Sequence, residues 1–86
     1  MIKLVFSVFD SKGEFYGNPF FCRSKGEALR SFMSIANDKN SQIGMHPEDY
    51  TLFCIGSFDE TNGVLTPAVV LESLGVAINF VKPEVK

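Results

Sequence analysis

The stretch Phe20-Phe21-Cys22-Arg23-Ser24-Lys25-Gly26-Glu27 constrains the fold more than any other part of the chain. A short apolar run ends at Ser24, and Glu27 follows three residues later. That is the spacing of a capping box, in which a serine hydroxyl and a glutamate carboxylate satisfy backbone N–H groups left open at a helix start. Ala28, Leu29, Phe32, Met33, Ile35 and Ala36 then recur at helical spacing and form one apolar stripe. A strand therefore feeds straight into an amphipathic helix, predicted from Lys25 to Asn37. Arg23, Lys25 and Arg30 lie beside the stripe and make this the densest positive charge in the chain.

Upstream, Ile2, Leu4, Phe6 and Val8 alternate with Lys3, Val5, Ser7 and Phe9, the pattern of a strand with one strongly apolar face. Asp10-Ser11-Lys12-Gly13 reads as a turn in which Gly13 supplies a positive φ, and Glu14 to Tyr16 resumes an extended run to complete a hairpin. Pro19 cannot donate to a ladder, so Gly17-Asn18-Pro19 marks an edge, a bulge or a bend. Asp38 to Met45 reads as a polar surface loop, and His46-Pro47-Glu48-Asp49 as one helical turn, since proline and carboxylates suit a helix start. Tyr50 to Phe58 carries large apolar groups on both faces and should be a central strand. Asp59-Glu60-Thr61-Asn62-Gly63 reads as a hairpin loop ending in Asn-Gly. Val64 to Thr66 returns as a short strand stopped by Pro67. Val70, Leu71, Leu74, Ala77, Ile78 and Val81 fit a helical stripe, so a short C-terminal helix is predicted, against the weight of Gly75 and the valines. The expected architecture is α+β: an antiparallel sheet of about four strands in two hairpins, one main helix between them, and the short helix at the end. The 86 residues should form a single domain, 1–86.

Nine phenylalanines can build a core without metal or disulfide staples. Cys22 and Cys54 sit in apolar runs, as free buried thiols do, and a reduced cytosolic setting is expected. No window offers the roughly 18 to 20 apolar residues of a membrane helix, and no secretory signal is visible at the start. Charge is uneven. Residues 1–40 carry six Lys and Arg against four Asp and Glu, and residues 41–86 carry two against six. Solvated surface accounts for most such asymmetries, and it also fits one mildly positive and one acidic surface.

Catalytic patterns are absent from the residue spacing. His46 is the only histidine, and its place before Pro47 suits a loop or cap more than a general base. The cysteines lack metal-ligand spacing, the acidic pairs Glu48-Asp49 and Asp59-Glu60 lack that of a calcium loop, and the glycines form no phosphate-binding pattern. A non-enzyme without metal or cofactor is expected. Binding has more to work with, because single-stranded nucleic acid is held by cations that track its backbone and by rings on which bases stack. Tyr16, Phe20 and Phe21 interleave with Lys12, Arg23, Lys25 and Arg30, and these seven are the candidate nucleic-acid contacts. Strand alternation sends Phe20 and Phe21 to opposite faces, which exposes one of them if a single face is covered. The helix start offers N–H groups to a phosphate, with Glu27 competing for them. Core filling by the same phenylalanines is the competing reading.

Three blocks together resemble a known family: Val5-Phe6-Ser7-Val8-Phe9-Asp10-Ser11-Lys12; Pro19-Phe20-Phe21 with Ser24-Lys25-Gly26-Glu27-Ala28-Leu29-Arg30-Ser31-Phe32; and His46-Pro47-Glu48-Asp49-Tyr50-Thr51-Leu52-Phe53 with Gly56-Ser57-Phe58-Asp59. The chain is similar, up to about Gly63, to the small nonstructural protein of gokushoviruses, single-stranded-DNA phages of the Microviridae. The resemblance implies a protein made in the infected bacterium, located in the host cytoplasm and left out of the virion. It implies DNA binding, or a part in the switch from duplex replication to single-strand synthesis and packaging, and it locates no site. Two readings stay open: a weak single-stranded-DNA binder, and a module that engages a phage replication or assembly protein or a host factor. A homodimer formed at a sheet edge fits either.

Overall fold

A computed structural model describes residues 1–83; Glu84 and Lys86, both part of the charge asymmetry, lie outside the described residues, as does Val85. The alternating run at the start forms β1 (Ile2–Asp10), and β4 (Tyr50–Asp59) pairs with it antiparallel along its whole length, Ile2 opposite Asp59 and Asp10 opposite Tyr50. On the other edge of β1 lie two short strands, β2 (Phe15–Tyr16) and β3 (Phe20–Cys22). They amount to one edge strand broken at Gly17-Asn18-Pro19, where the register slips by a residue between the pairs Phe9–Tyr16 and Phe6–Phe20. The break is pinned from below. Ser7 Oγ donates to the Gly17 carbonyl at 2.8 Å, and the Gly17 N–H donates to the Val8 carbonyl at 2.8 Å.

Helix α1 (Lys25–Ala36) begins where the capping box places it, with Ser24 Oγ accepting from the Glu27 N–H at 3.1 Å. The reciprocal bond goes one residue further back, from the Arg23 N–H to Glu27 Oε1 at 3.2 Å. The polar segment after it is more ordered than its composition predicts. Ser41 caps a single helical turn, α2 (Gln42–Met45), through the Gly44 N–H, and a Cβ on Gly44 would overlap the Asp38 carbonyl. Pro47–Asp49 is the expected helical turn, in 3-10 form.

The sheet order is β2-β1-β4-β5, with β5 (Val64–Val76) on the outer edge and β3 beside β1. Here the structure corrects the sequence reading. Pro67 does not end the strand, because on an edge its missing N–H can face solvent without losing a ladder bond. The chain stays extended to Val76, and the predicted short helix is the single 3-10 turn Ala77–Phe80. Between the pairs Gly56–Pro67 and Cys54–Glu72, the four residues 68–71 stand opposite Ile55 alone. That irregularity shifts the alternation of side chains and makes the stretch look helical in sequence.

Helix α1 buries Ala28, Phe32 and Ala36 against Phe6, Cys22, Leu52 and Cys54 on one face of the sheet, with Ala77 closing the cluster. Both cysteines are free thiols in this core. Burial pushes the Cys22 thiol pKa up, helped by the Glu27 carboxylate beside it. Asn37, at the helix end, ties the last segment down: its Nδ2 donates to the carbonyls of Met33 at 2.8 Å and Phe80 at 3.0 Å, and its Oδ1 accepts from the Lys82 N–H at 2.8 Å. Sequence reading gave Asn37 no such role.

The two hairpin loops share one design. Asp10 and Asp59 each accept, on Oδ1, the N–H two residues ahead, and each backbone carbonyl accepts the N–H four residues ahead. In the second loop Gly63 takes the left-handed position, φ 76°; in the first it is Glu14, φ 61°, and not Gly13 as predicted. A non-glycine residue there carries a steric cost of about 1–2 kcal/mol, against roughly 0.5–1 kcal/mol of backbone entropy for glycine. Glu14→Gly should therefore stabilise the fold by about 0.5–1 kcal/mol, a rise of roughly 3–6 °C in Tm for a chain this size. A thermal melt that shows no rise, or a fall, would mean that the Glu14 side chain stabilises the loop by some other route.

Candidate nucleic-acid interface

Because side chains alternate along strands, the face turned away from α1 collects a second set of residues. From β1 come Lys3, Val5, Ser7 and Phe9; from β2 and β3, Tyr16 and Phe21; from β4, Phe53 and Phe58. Their rings touch in two groups. Tyr16 lies 4.8 Å from Phe9 and 5.6 Å from Phe53, centroid to centroid, and Phe21 lies 5.6 Å from Phe58. The groups sit beside Phe9 and Val5, four residues apart along β1, or about 13 Å at the rise of a strand. Val5 and Ser7 are buried between them, yet neither belongs to the cluster under the helix. No described helix packs on this face, and Tyr16 and Phe21 remain 44% and 46% exposed.

Phe20 and Phe21 do point to opposite faces. Phe20 goes inward, its ring 5.8 Å from Phe6 in a stacked arrangement, so it packs partly buried against the core on the opposite face from Phe21. The cations are less concentrated than their sequence positions. Lys25 turns toward β5, its Nζ 2.8 Å from Glu72 Oε1, and the hydrogen bond to that carboxylate raises its pKa. Arg30 lies on α1 beside Met33, Ser34, Asn37 and Lys82, around a pocket of about 330 Å³ in the helix layer. Lys12 is exposed in the loop after β1, at the end of the sheet that carries Tyr16. Arg23 is exposed just past β3, at the end that carries Phe21. The open helix start is partly used as well, since Glu27 accepts the Arg23 N–H. Of the seven candidates, then, the structure brings Tyr16 and Phe21 onto one face, sets Lys12 and Arg23 at its two ends, and places Phe20, Lys25 and Arg30 elsewhere.

Sequence reading missed Phe9, Phe53, Phe58 and Lys3 as members of this face. Lys3 Nζ lies 3.3 Å from Glu60 Oε2 beside Phe58, so the one cation within the face among the described residues is itself paired. Alternation carried from Phe21 across β1 into β4 would have found them, but only with the strand pairing in hand. Elsewhere, His46, Glu48 and Asp49 each bring one potential ligand atom within 4.8 Å of the others on the surface. No helix among the described residues is long and apolar enough to cross a membrane.

Neither a curated protein nor a solved structure gives a significant match to the chain. A family model described as phage ORF5 protein does match it, over residues 3–80, which takes in nearly all of β1 and everything from there to the last 3-10 turn. That span exceeds half of the 86 residues by a wide margin, and it makes this a phage-encoded protein: the chain belongs to the phage ORF5 protein family.

Proposed function

We propose that this phage protein acts in the infected bacterium as a weak single-stranded-DNA-binding protein that modulates replication or genome packaging. The observation that carries the reading is the Phe9–Tyr16–Phe53 ring group on the sheet face away from α1. Bases stack on exposed rings whatever their identity, each contact worth about 1–3 kcal/mol, and sheets that present aromatic residues are a recurrent platform for single strands. Tyr16 leads this contact, with Phe9 and Phe53 supporting its ring. Lys12 and Arg23 meet phosphates at the two ends of the face. The likeness to the gokushovirus nonstructural protein supports the same reading, including a place in the host cytoplasm and outside the virion. The protein is proposed to bind and not to catalyse, given buried thiols and one exposed histidine.

The test is fluorescence anisotropy with a labelled oligo-dT strand across a salt series. With Lys12 and Arg23 engaged, log K should fall against log salt with a slope of about −1.4, since each phosphate contact on a single strand contributes about −0.7. Tyr16→Ala should weaken binding by about tenfold, within the range expected of one lost stack, while Arg30→Glu, on the helix layer, should leave it unchanged. No binding at about 20 mM salt, where phosphate contacts are strongest, would remove the basis of the proposal. The competing reading, a module for a phage or host protein, draws on the apolar groove beside Phe21; it is favoured if the oligonucleotide fails to bind.

A further inference from the structure

The outer edge of the sheet carries two matching features within a few residues. One is a projection. The four residues opposite Ile55 push outward, leaving Val69 fully exposed, Val70 79% exposed and Leu71 exposed at the strand edge. The other is a hollow of about 270 Å³ on the ring-bearing face, lined by Val5, Phe21, Ile55, Leu65 and Pro67 among others, and almost wholly apolar. Exposed apolar side chains in such density are unusual on a monomer and mark contact surfaces.

The edge is open in charge as well as in shape. Solvent-facing edges are commonly protected by lysines or inward-pointing charges. From Val64 to Val76 the only charged residue is Glu72, and its carboxylate is occupied by Lys25 of the same chain. Pro67 and the irregularity after it break the ladder, so a long run of new backbone hydrogen bonds is not the attraction; side-chain packing is. Area and shape point the same way. A compact protein of 9.5 kDa exposes roughly 5,000 Å², and this chain exposes 5844 Å². The excess has the sign expected of a chain that leaves an apolar edge uncovered. The radius of gyration, 13.7 Å, likewise exceeds the roughly 12 Å expected for 86 residues.

From these observations we infer that the β5 edge is the contact surface for a second copy of this chain, the projection Val69–Leu71 of each copy entering the hollow beside Pro67 of the other. The occupant is a second copy because the projection adjoins the β5 wall of the hollow, Leu65 and Pro67, on the same strand. A two-fold axis near Ala68 brings each residue of one set opposite the other set at once, Val69 against Pro67 and Leu71 against Leu65, as an isologous interface requires. No charge is buried and no cation has to be moved. The contact covers Phe21 and leaves the Phe9–Tyr16–Phe53 group outside it, so it does not depend on the nucleic-acid reading.

Sedimentation-velocity or light-scattering mass measurements on the full chain, over a concentration series, decide the matter. The expected result is a dimer at about twice the monomer mass at high micromolar concentration, dissociating on dilution. Val69→Lys with Val70→Lys should give a monomer across the series, its circular dichroism unchanged because both side chains are already in solvent. Phe21→Ala, which empties part of the hollow, should raise the dimer dissociation constant, and Tyr16→Ala should not. A wild-type chain that stays monomeric throughout overturns the proposal, as does a dimer that survives the paired lysines.

Discussion

Phe6→Ala is expected to destabilise the protein by about 3–5 kcal/mol, the cost of removing a fully buried ring from a packed core. Phe6 has no exposed surface, lies at the centre of β1 and packs in the cluster that α1 closes. It also supports Phe20, whose ring stacks on it across the strand pair. A chain of 86 residues has only about 4–13 kcal/mol of total stability, so this substitution removes roughly a quarter of it at the least, and all of it at the lower limit. Urea denaturation gives the measurement, with Phe21→Ala as the comparison under conditions that keep the chain monomeric. Phe21 sits on the adjacent strand with nearly half its surface in water, and it should cost about 1 kcal/mol. Equal losses for the two would mean that the ring-bearing face is as deeply packed as the helical one, and the description of that face would fail.

Asn37→Ala comes next, at about 2–3 kcal/mol. Its amide serves three backbone groups from two segments, and each lost hydrogen bond is worth roughly 0.5–1.5 kcal/mol, with more where a group is left unpaired away from water. The groups left behind are the Met33 and Phe80 carbonyls and the Lys82 N–H. Asn37→Asp should be no better, although it keeps an acceptor for Lys82. It sets a carboxylate against two carbonyl oxygens at a helix C-terminus, the end where negative charge is disfavoured. Hydrogen exchange at the Lys82 amide provides the sharper readout: protection should vanish in the alanine variant while amides in the middle of β4 slow or quicken only with global stability. Protection retained at Lys82 would show that another contact holds the segment.

Local chemistry explains which parts of the fold could be read in advance. The capping box names its own partners within four residues, and α1 starts where Ser24 and Glu27 place it. β1 and β4 are long, alternate cleanly and were recognisable without their neighbours. β5 was not. Its alternation is interrupted by four residues facing one, and an interrupted period of two over a dozen residues resembles a period of 3.6. Gly75, with φ 134°, then turns the chain again before the 3-10 turn. The first hairpin loop misled for a related reason, since Gly13 is the obvious residue for a left-handed position, yet its N–H and that of Lys12 both donate to the Asp10 carboxylate and the left-handed position falls to Glu14.

The site was half legible. Strand alternation sufficed to separate Phe20 from Phe21, a statement about adjacent residues. It could not gather Phe53 and Phe58 around Tyr16 and Phe21, because those rings meet only through pairing between strands some 40 residues apart in the chain. Charge failed the other way. Lys25 is near Phe21 in sequence, yet the helix turns it to Glu72, 47 positions further on.

The break at Gly17-Asn18-Pro19 has a consequence for how far assembly can go. A sheet with two clean, flat edges can nucleate end-to-end growth and lengthen into a fibril, since each added molecule offers a fresh edge to the next. Here one border is cut into strands of two and three residues with a proline between them. A chain reaching that border finds no continuous row of backbone donors to template on, so growth of a fibril from that side is blocked.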